Sequence, residues 1–132
     1  MFLNLLSEKE GKNFLELATI AMNVGKDIGT EERNVFSTYR FELNLSDYEI
    51  KGREYKDLIM DFKGSRKRSL RAIIIELAGM MDADEEIEKV EENWLLKLGA
   101  DLDFRESEMR KMIRWTQDFN DLLAEAYIYI NK

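Results

Sequence analysis

Three observations predict an all-α, single-domain bundle of about seven helices. The 132-residue chain has no proline, and its seven glycines fall largely where helical patterns stop. That suits helices on short connections and disfavours a sandwich or barrel with many turns. Apolar residues recur at three- and four-residue spacing through most of the chain, the period of helices with one buried face. Finally, one helix–acidic loop–helix pattern is written twice, over residues 18–45 and 77–104. A shift of 59 positions aligns Met22 with Met81, Ile28 with Ile87, Glu32 with Glu91, Asn34 with Asn93 and Leu43 with Leu102.

Each element follows from local signals. Ser7-Glu8-Lys9-Glu10 has the S-x-x-E form of a capping box and opens the first helix, since the serine and glutamate side chains satisfy each other's free backbone N–H groups. Phe14, Leu15, Leu17, Ala18, Ala21 and Met22 continue it, and Gly25 and Gly29 bracket a loop. Val35, Phe36, Tyr39 and Leu43 stripe the second helix. Ser46-Asp47-Tyr48-Glu49 repeats the S-x-x-E form and predicts a short third helix. Residues 53–62 form a fourth through Tyr55, Leu58, Ile59 and Phe62, closed by Gly64-Ser65. The stretch 66–81, with Leu70, Ile73, Ile74 and Leu77, is the most apolar and is expected at the centre. An acidic loop at 82–86 leads into a helix that runs to about Lys97 and ends at Gly99. Asp103-Phe104-Arg105-Glu106 reads as a D-x-x-E box for a long last helix. Its apolar face carries Met109, Met112, Ile113, Phe119, Leu122, Leu123, Ala126, Tyr127 and Ile130. No linker divides the chain, so the two related units should share one core.

Composition narrows the chemistry. With 45% hydrophobic and 36% charged residues the chain is an ordinary globular protein. It has no cysteine and no histidine, which removes disulfides, thiolate metal sites and the commonest general base. Any metal should then be a hard, oxygen-ligated ion such as calcium, magnesium or manganese. A net charge of −7 argues against nucleic-acid binding, which depends on neutralising phosphates. The apolar MFLNLL start is too short for a signal segment, and no apolar run reaches membrane-spanning length. The expected location is cytoplasmic, with no membrane span.

The opening FLNLLSEKEGKNFLELATIAM and the two loops resemble the TerB-like family, named for tellurite-resistance proteins. Such proteins carry a loop of the form A-D-G-x-I-x-x-x-E, often twice. In the second unit Asp84, Ile87 and Glu91 match it, and Glu85 replaces the glycine. In the first, Ile28 and Glu32 match, but Gly25 stands for the aspartate and Lys26 for the glycine. The resemblance implies a helical bundle, divalent-metal binding at the acidic loops and an association with stress response.

The densest chemical candidate is the acidic cluster Asp82, Asp84, Glu85, Glu86, Glu88, Glu91 and Glu92, with Lys89 its one cation. Asp82, Asp84, Glu86 and Glu91 form the candidate divalent-cation site, because carboxylates at a loop-to-helix junction suit a hard ion. It departs from an EF-hand: Ile87 takes the glycine position and Asn93 that of the bidentate glutamate. The plainer alternative is structural. Glu32 and Glu91 fall three residues after Gly29 and Glu88, where a glutamate bonds back to the N-cap and favours the helix dipole. A basic cluster, Lys63, Arg66, Lys67, Arg68 and Arg71, is expected to be balanced by acids of the same fold. Trp94 is expected in the core, and Trp115 against the N-terminal apolar segment. No catalytic constellation is present, since serines and threonines sit mainly at caps with no histidine to activate them.

The function expected from these features is a non-enzymatic binding module with a protein partner, responsive at most to a divalent cation. The alternative is an acidic, immunity-like inhibitor that binds a basic partner without metal.

Overall fold

A computed structural model describes residues 1–25, 29–84 and 86–132, without the side chains of Thr30 and Asp84. The described residues form six α-helices and no strand: α1 (Glu8–Met22), α2 (Thr30–Glu42), α3 (Tyr55–Phe62), α4 (Lys67–Met81), α5 (Lys89–Asp101) and α6 (Glu106–Ile130). Two single 3-10 turns, Leu3–Leu5 and Asp82–Asp84, precede α1 and follow α4. No described helix is long and apolar enough to cross a membrane.

The Ser7 box forms as predicted. Ser7 Oγ accepts the Glu10 N–H at 3.1 Å and a Glu10 oxygen accepts the Ser7 N–H at 2.9 Å. α4 lies at the centre, with ten of its 15 residues buried. One contiguous cluster joins Phe14, Leu15 and Leu17 of α1 to Leu58 and Phe62 of α3, Ile73, Ile74 and Leu77 of α4, Leu95 and Leu98 of α5, and Met109 and Ile113 of α6. Tyr39 of α2 enters it edge-on to Phe14, 5.0 Å between ring centres, and its hydroxyl donates to the Glu76 carbonyl.

Six helices replace the expected seven because residues 46–49 do not form one. The buried Glu16 carboxylate of α1 takes the donors instead. It accepts the Tyr48 hydroxyl at 2.6 Å and the backbone N–H groups of Lys51, Gly52 and Arg53 at 2.8, 3.0 and 3.1 Å. A carboxylate at 1% exposure needs such partners, and the segment is held irregular to supply them. Gly52, at φ 72°, makes the turn that aims those N–H groups.

Two helix ends also differ from expectation. α5 runs through Gly99 to Asp101. Gly99 serves the crossing with α6, since a Cβ there would sit 2.4 Å from Cγ of the fully buried Met109. Asp103 does not cap α6: the N-cap is Arg105, and Asp103 adopts φ 66°.

Asp103 instead terminates α5, as Asn44, at φ 57°, terminates α2. In both, the next residue bonds back to the carbonyl five positions earlier: Leu45 N–H to Arg40 C=O at 2.9 Å, and Phe104 N–H to Gly99 C=O at 2.8 Å. The left-handed residues close shorter bonds, Asn44 N–H to Phe41 C=O at 3.0 Å and Asp103 N–H to Ala100 C=O at 3.1 Å. These are two complete Schellman endings, each followed by a buried apolar residue, Leu45 or Phe104.

Candidate functional site

The acidic loop lies between α4 and α5, and its carboxylates are in different situations. Glu91, 4% exposed, occupies the third position of α5, and its carboxylate accepts the Glu88 N–H at 2.9 Å. Glu32, 7% exposed, holds the same position in α2 after the N-cap Gly29. Asp82, 8% exposed, accepts the side-chain amide of Asn120 on α6 at 2.9 Å. Burial pushes the Asp82 carboxyl above the usual aspartate range; the Asn120 bond offsets part of this, and the neighbouring Asp121 charge adds to it. Glu86 is exposed, and Ile87 packs half-buried against the core. Lys26, Ile28, Glu85 and the side chain of Asp84 lie outside the described residues.

The two loops touch. A Cβ on Gly25 would come 2.8 Å from Glu88 Oε1 and 3.6 Å from Glu91 Cδ, so the position aligned with Asp84 is left open for a carboxylate of the other loop. Among the described residues no three carboxylates converge as a cation-holding group. The described members of the predicted site make protein hydrogen bonds through Asp82 and Glu91, while Glu86 faces solvent.

Beside this loop runs an open groove of about 520 Å³ between α2 and α6. Glu31 and Val35 form its α2 wall, and Gly79, Asp82 and Ala83 its floor. Asn120, Asp121, Leu123, Ala124 and Tyr127 form the α6 wall. Its described charged lining residues are all carboxylates: Glu31, Asp82 and Asp121.

The α6 wall belongs to a segment that leaves the body of the protein. Every residue from 121 to 132 is exposed, a helical arm of about 15 Å up to Ile130. Leu122 is 64% exposed, Leu123 44%, Tyr127 57%, Ile128 63%, Tyr129 64% and Ile130 73%. The face predicted to be apolar is therefore buried only in its first half, through Met109 and Ile113, with Thr116 alongside. Trp115 lies where the two halves join. It stacks on Phe119 at 5.3 Å and meets Phe2 at 6.2 Å, as expected of the N-terminal segment, yet stays 45% exposed.

The remaining candidates are absorbed by the fold. Lys67 Nζ donates to the carbonyls of Leu102 and Asp103 at 2.7 and 3.0 Å and lies 4.1 Å from the centre of the Phe104 ring. Arg71 pairs with Glu108 at 3.0 Å. Lys67 and Arg71 of the basic cluster thus fasten the start of α4 to the α5–α6 corner. Trp94 is half-buried at the rim, edge-on to Tyr55 at 6.1 Å. A second open cleft of about 500 Å³ lies beside Asn13, Asp61 and Arg66. There Arg53 already pairs with Asp61 at 2.8 Å and donates to Asn13 Oδ1 at 2.7 Å.

Sequence reasoning missed Glu16, whose place in the apolar run FLELA gives no sign of its four donors. It also missed the arm, because periodicity marks an apolar face without showing whether anything covers it. Scans of the chain match no family model, no curated protein and no solved structure.

Proposed function

We propose that this chain is a non-enzymatic binding module of TerB-like architecture that holds a protein partner along α6. The observation that carries this is the arm itself: ten consecutive helical residues, 121–130, all exposed, of which only Asp121 and Glu125 are charged. Six of its side chains leave on the order of 600 Å² open. Leu123, Tyr127 and Ile130 share one face of the arm, and a row of uncovered large apolar side chains marks an interaction surface more often than an idle one.

The architecture is supported by internal correspondences. α1 and α4 each have 15 residues, and α2 and α5 each have 13. Glu32 and Glu91 share a helical position, and Asn44 and Asp103 share a left-handed one. All obey the same 59-residue shift, which supports a duplicated helix–loop–helix unit. Binding to a partner does not require the cation site at Asp82, Asp84, Glu86 and Glu91; in its absence Glu91 and Asp82 serve the α5 cap and the α6 junction.

The test uses the full chain and three fluorescent 18-residue amphipathic helices with one leucine face and lysine, glutamine or glutamate elsewhere. Anisotropy should show saturable one-to-one binding of at least one probe. Failure of all three would end the binding-module proposal.

A further inference from the structure

The geometry points to a basic amphipathic helix as the occupant of the α2–α6 groove, its apolar face on Val35, Leu123 and Tyr127 and its flanking cations against Glu31 and Asp121 on the two walls. This inference rests on the binding-module reading and adds the chemistry of the partner. A helix is about 10 Å across, and the groove is an open trough with apolar side chains on both walls. One helix seated there covers the groove side of the arm, and helix-in-groove docking uses apolar anchors at i, i+3, i+4 and i+7 in this way. On the receiving wall, Asn120, Leu123, Ala124 and Tyr127 fall three and four residues apart and so share the one face of α6 that such anchors would meet.

Charge decides between candidate helices. The groove presents Glu31, Asp82 and Asp121 and, among its described lining residues, no cation. An occupant with lysine or arginine flanking its apolar face meets opposite charge along the rim, while an acidic one meets repulsion. The arm of a second copy would bring Asp121 and Glu125 from a chain of net charge −7, placing carboxylates against carboxylates. Like-charge contacts of that kind select against a partner.

The three probes distinguish the outcomes. The lysine probe should bind the full chain at least about ten-fold more tightly than the glutamate probe, with the glutamine probe between, and added salt should narrow the difference. Leu123→Glu and Tyr127→Glu should each weaken it about ten-fold. Both side chains are exposed, so an unchanged thermal melt separates lost binding from lost folding. Asp121→Lys should weaken the lysine probe, whereas Glu49→Lys, the same charge change at an exposed residue outside the groove, should not. Equal binding of the glutamate and lysine probes would overturn this inference and leave the binding module standing. Lysine-probe binding indifferent to Leu123→Glu would overturn it as general charge attraction. Self-association in sedimentation, abolished by Leu123→Glu, would overturn it in favour of a second copy.

Discussion

A carboxylate withdrawn from water takes its character from the donors around it, and Glu16 and Asp82 stand at opposite ends. Burial pushes Glu16 up, but the Lys51 N–H, the Tyr48 hydroxyl and the Arg53 and Gly52 N–H groups outweigh it and hold Glu16 below the usual range. The same bond helps push Tyr48 up to about 12, after burial. Asp82 has one side-chain amide and a neighbouring like charge, and is raised. The folded state therefore binds a proton at Asp82 more tightly than the unfolded chain does. That contribution is fully present below the unfolded aspartate value of about 3.9 and is lost as pH rises through the folded value. At neutral pH the ionised Asp82 works against the fold. Asp82→Asn keeps an acceptor for Asn120 and should raise the melting temperature at pH 7 by about 2–5 °C, a gain that disappears below about pH 4. A lower melting temperature at pH 7 would mean that the charge itself is needed there.

Among the elements, helices were legible and their ends less so. Three stretches had capping-box form, and only Ser7 makes one. After Ser46 the Tyr48 hydroxyl and the N–H groups of Lys51, Gly52 and Arg53 go to Glu16, and at Asp103 the residue is claimed by the end of the preceding helix. A local motif offers a bond, and tertiary competition decides whether that bond forms. Gly99 shows the same limit, because its value lies in the approach of Met109. The two Schellman endings place Asn44 and Asp103 in left-handed backbone that glycine adopts without a Cβ penalty. Asn44→Gly and Asp103→Gly should each stabilise by about 0.3–1 kcal/mol in urea melts, the relieved strain exceeding glycine's greater unfolded-state entropy. A loss at either site would show that its side chain contributes more than its backbone costs.

Over the whole molecule, the acidic loop acts as a clasp: Glu91 closes the start of α5, Asp82 reaches α6 through Asn120, and Gly25 admits Glu88 from the other loop. Because these carboxylates already have partners, calcium, magnesium and manganese are expected to leave the melting temperature of the metal-stripped protein unchanged. A saturable heat with a raised melting temperature, absent in Asp84→Asn, would instead establish a cation site. The sequence by itself determined the helical class, the central place of α4 and the Ser7 helix start, because spacing and capping are properties of neighbouring residues. It also offered Glu91 as a cap on the Glu88 N–H, which forms, and marked Asp82 as chemically notable without its partner Asn120, which comes from α6. Only the tertiary structure decided that the second half of α6 goes uncovered. At 25 residues α6 spans about 38 Å, against about 22 Å for the 15-residue α4. An apolar stripe is written the same way whether or not a neighbour reaches it, and here the packing stops before the stripe does.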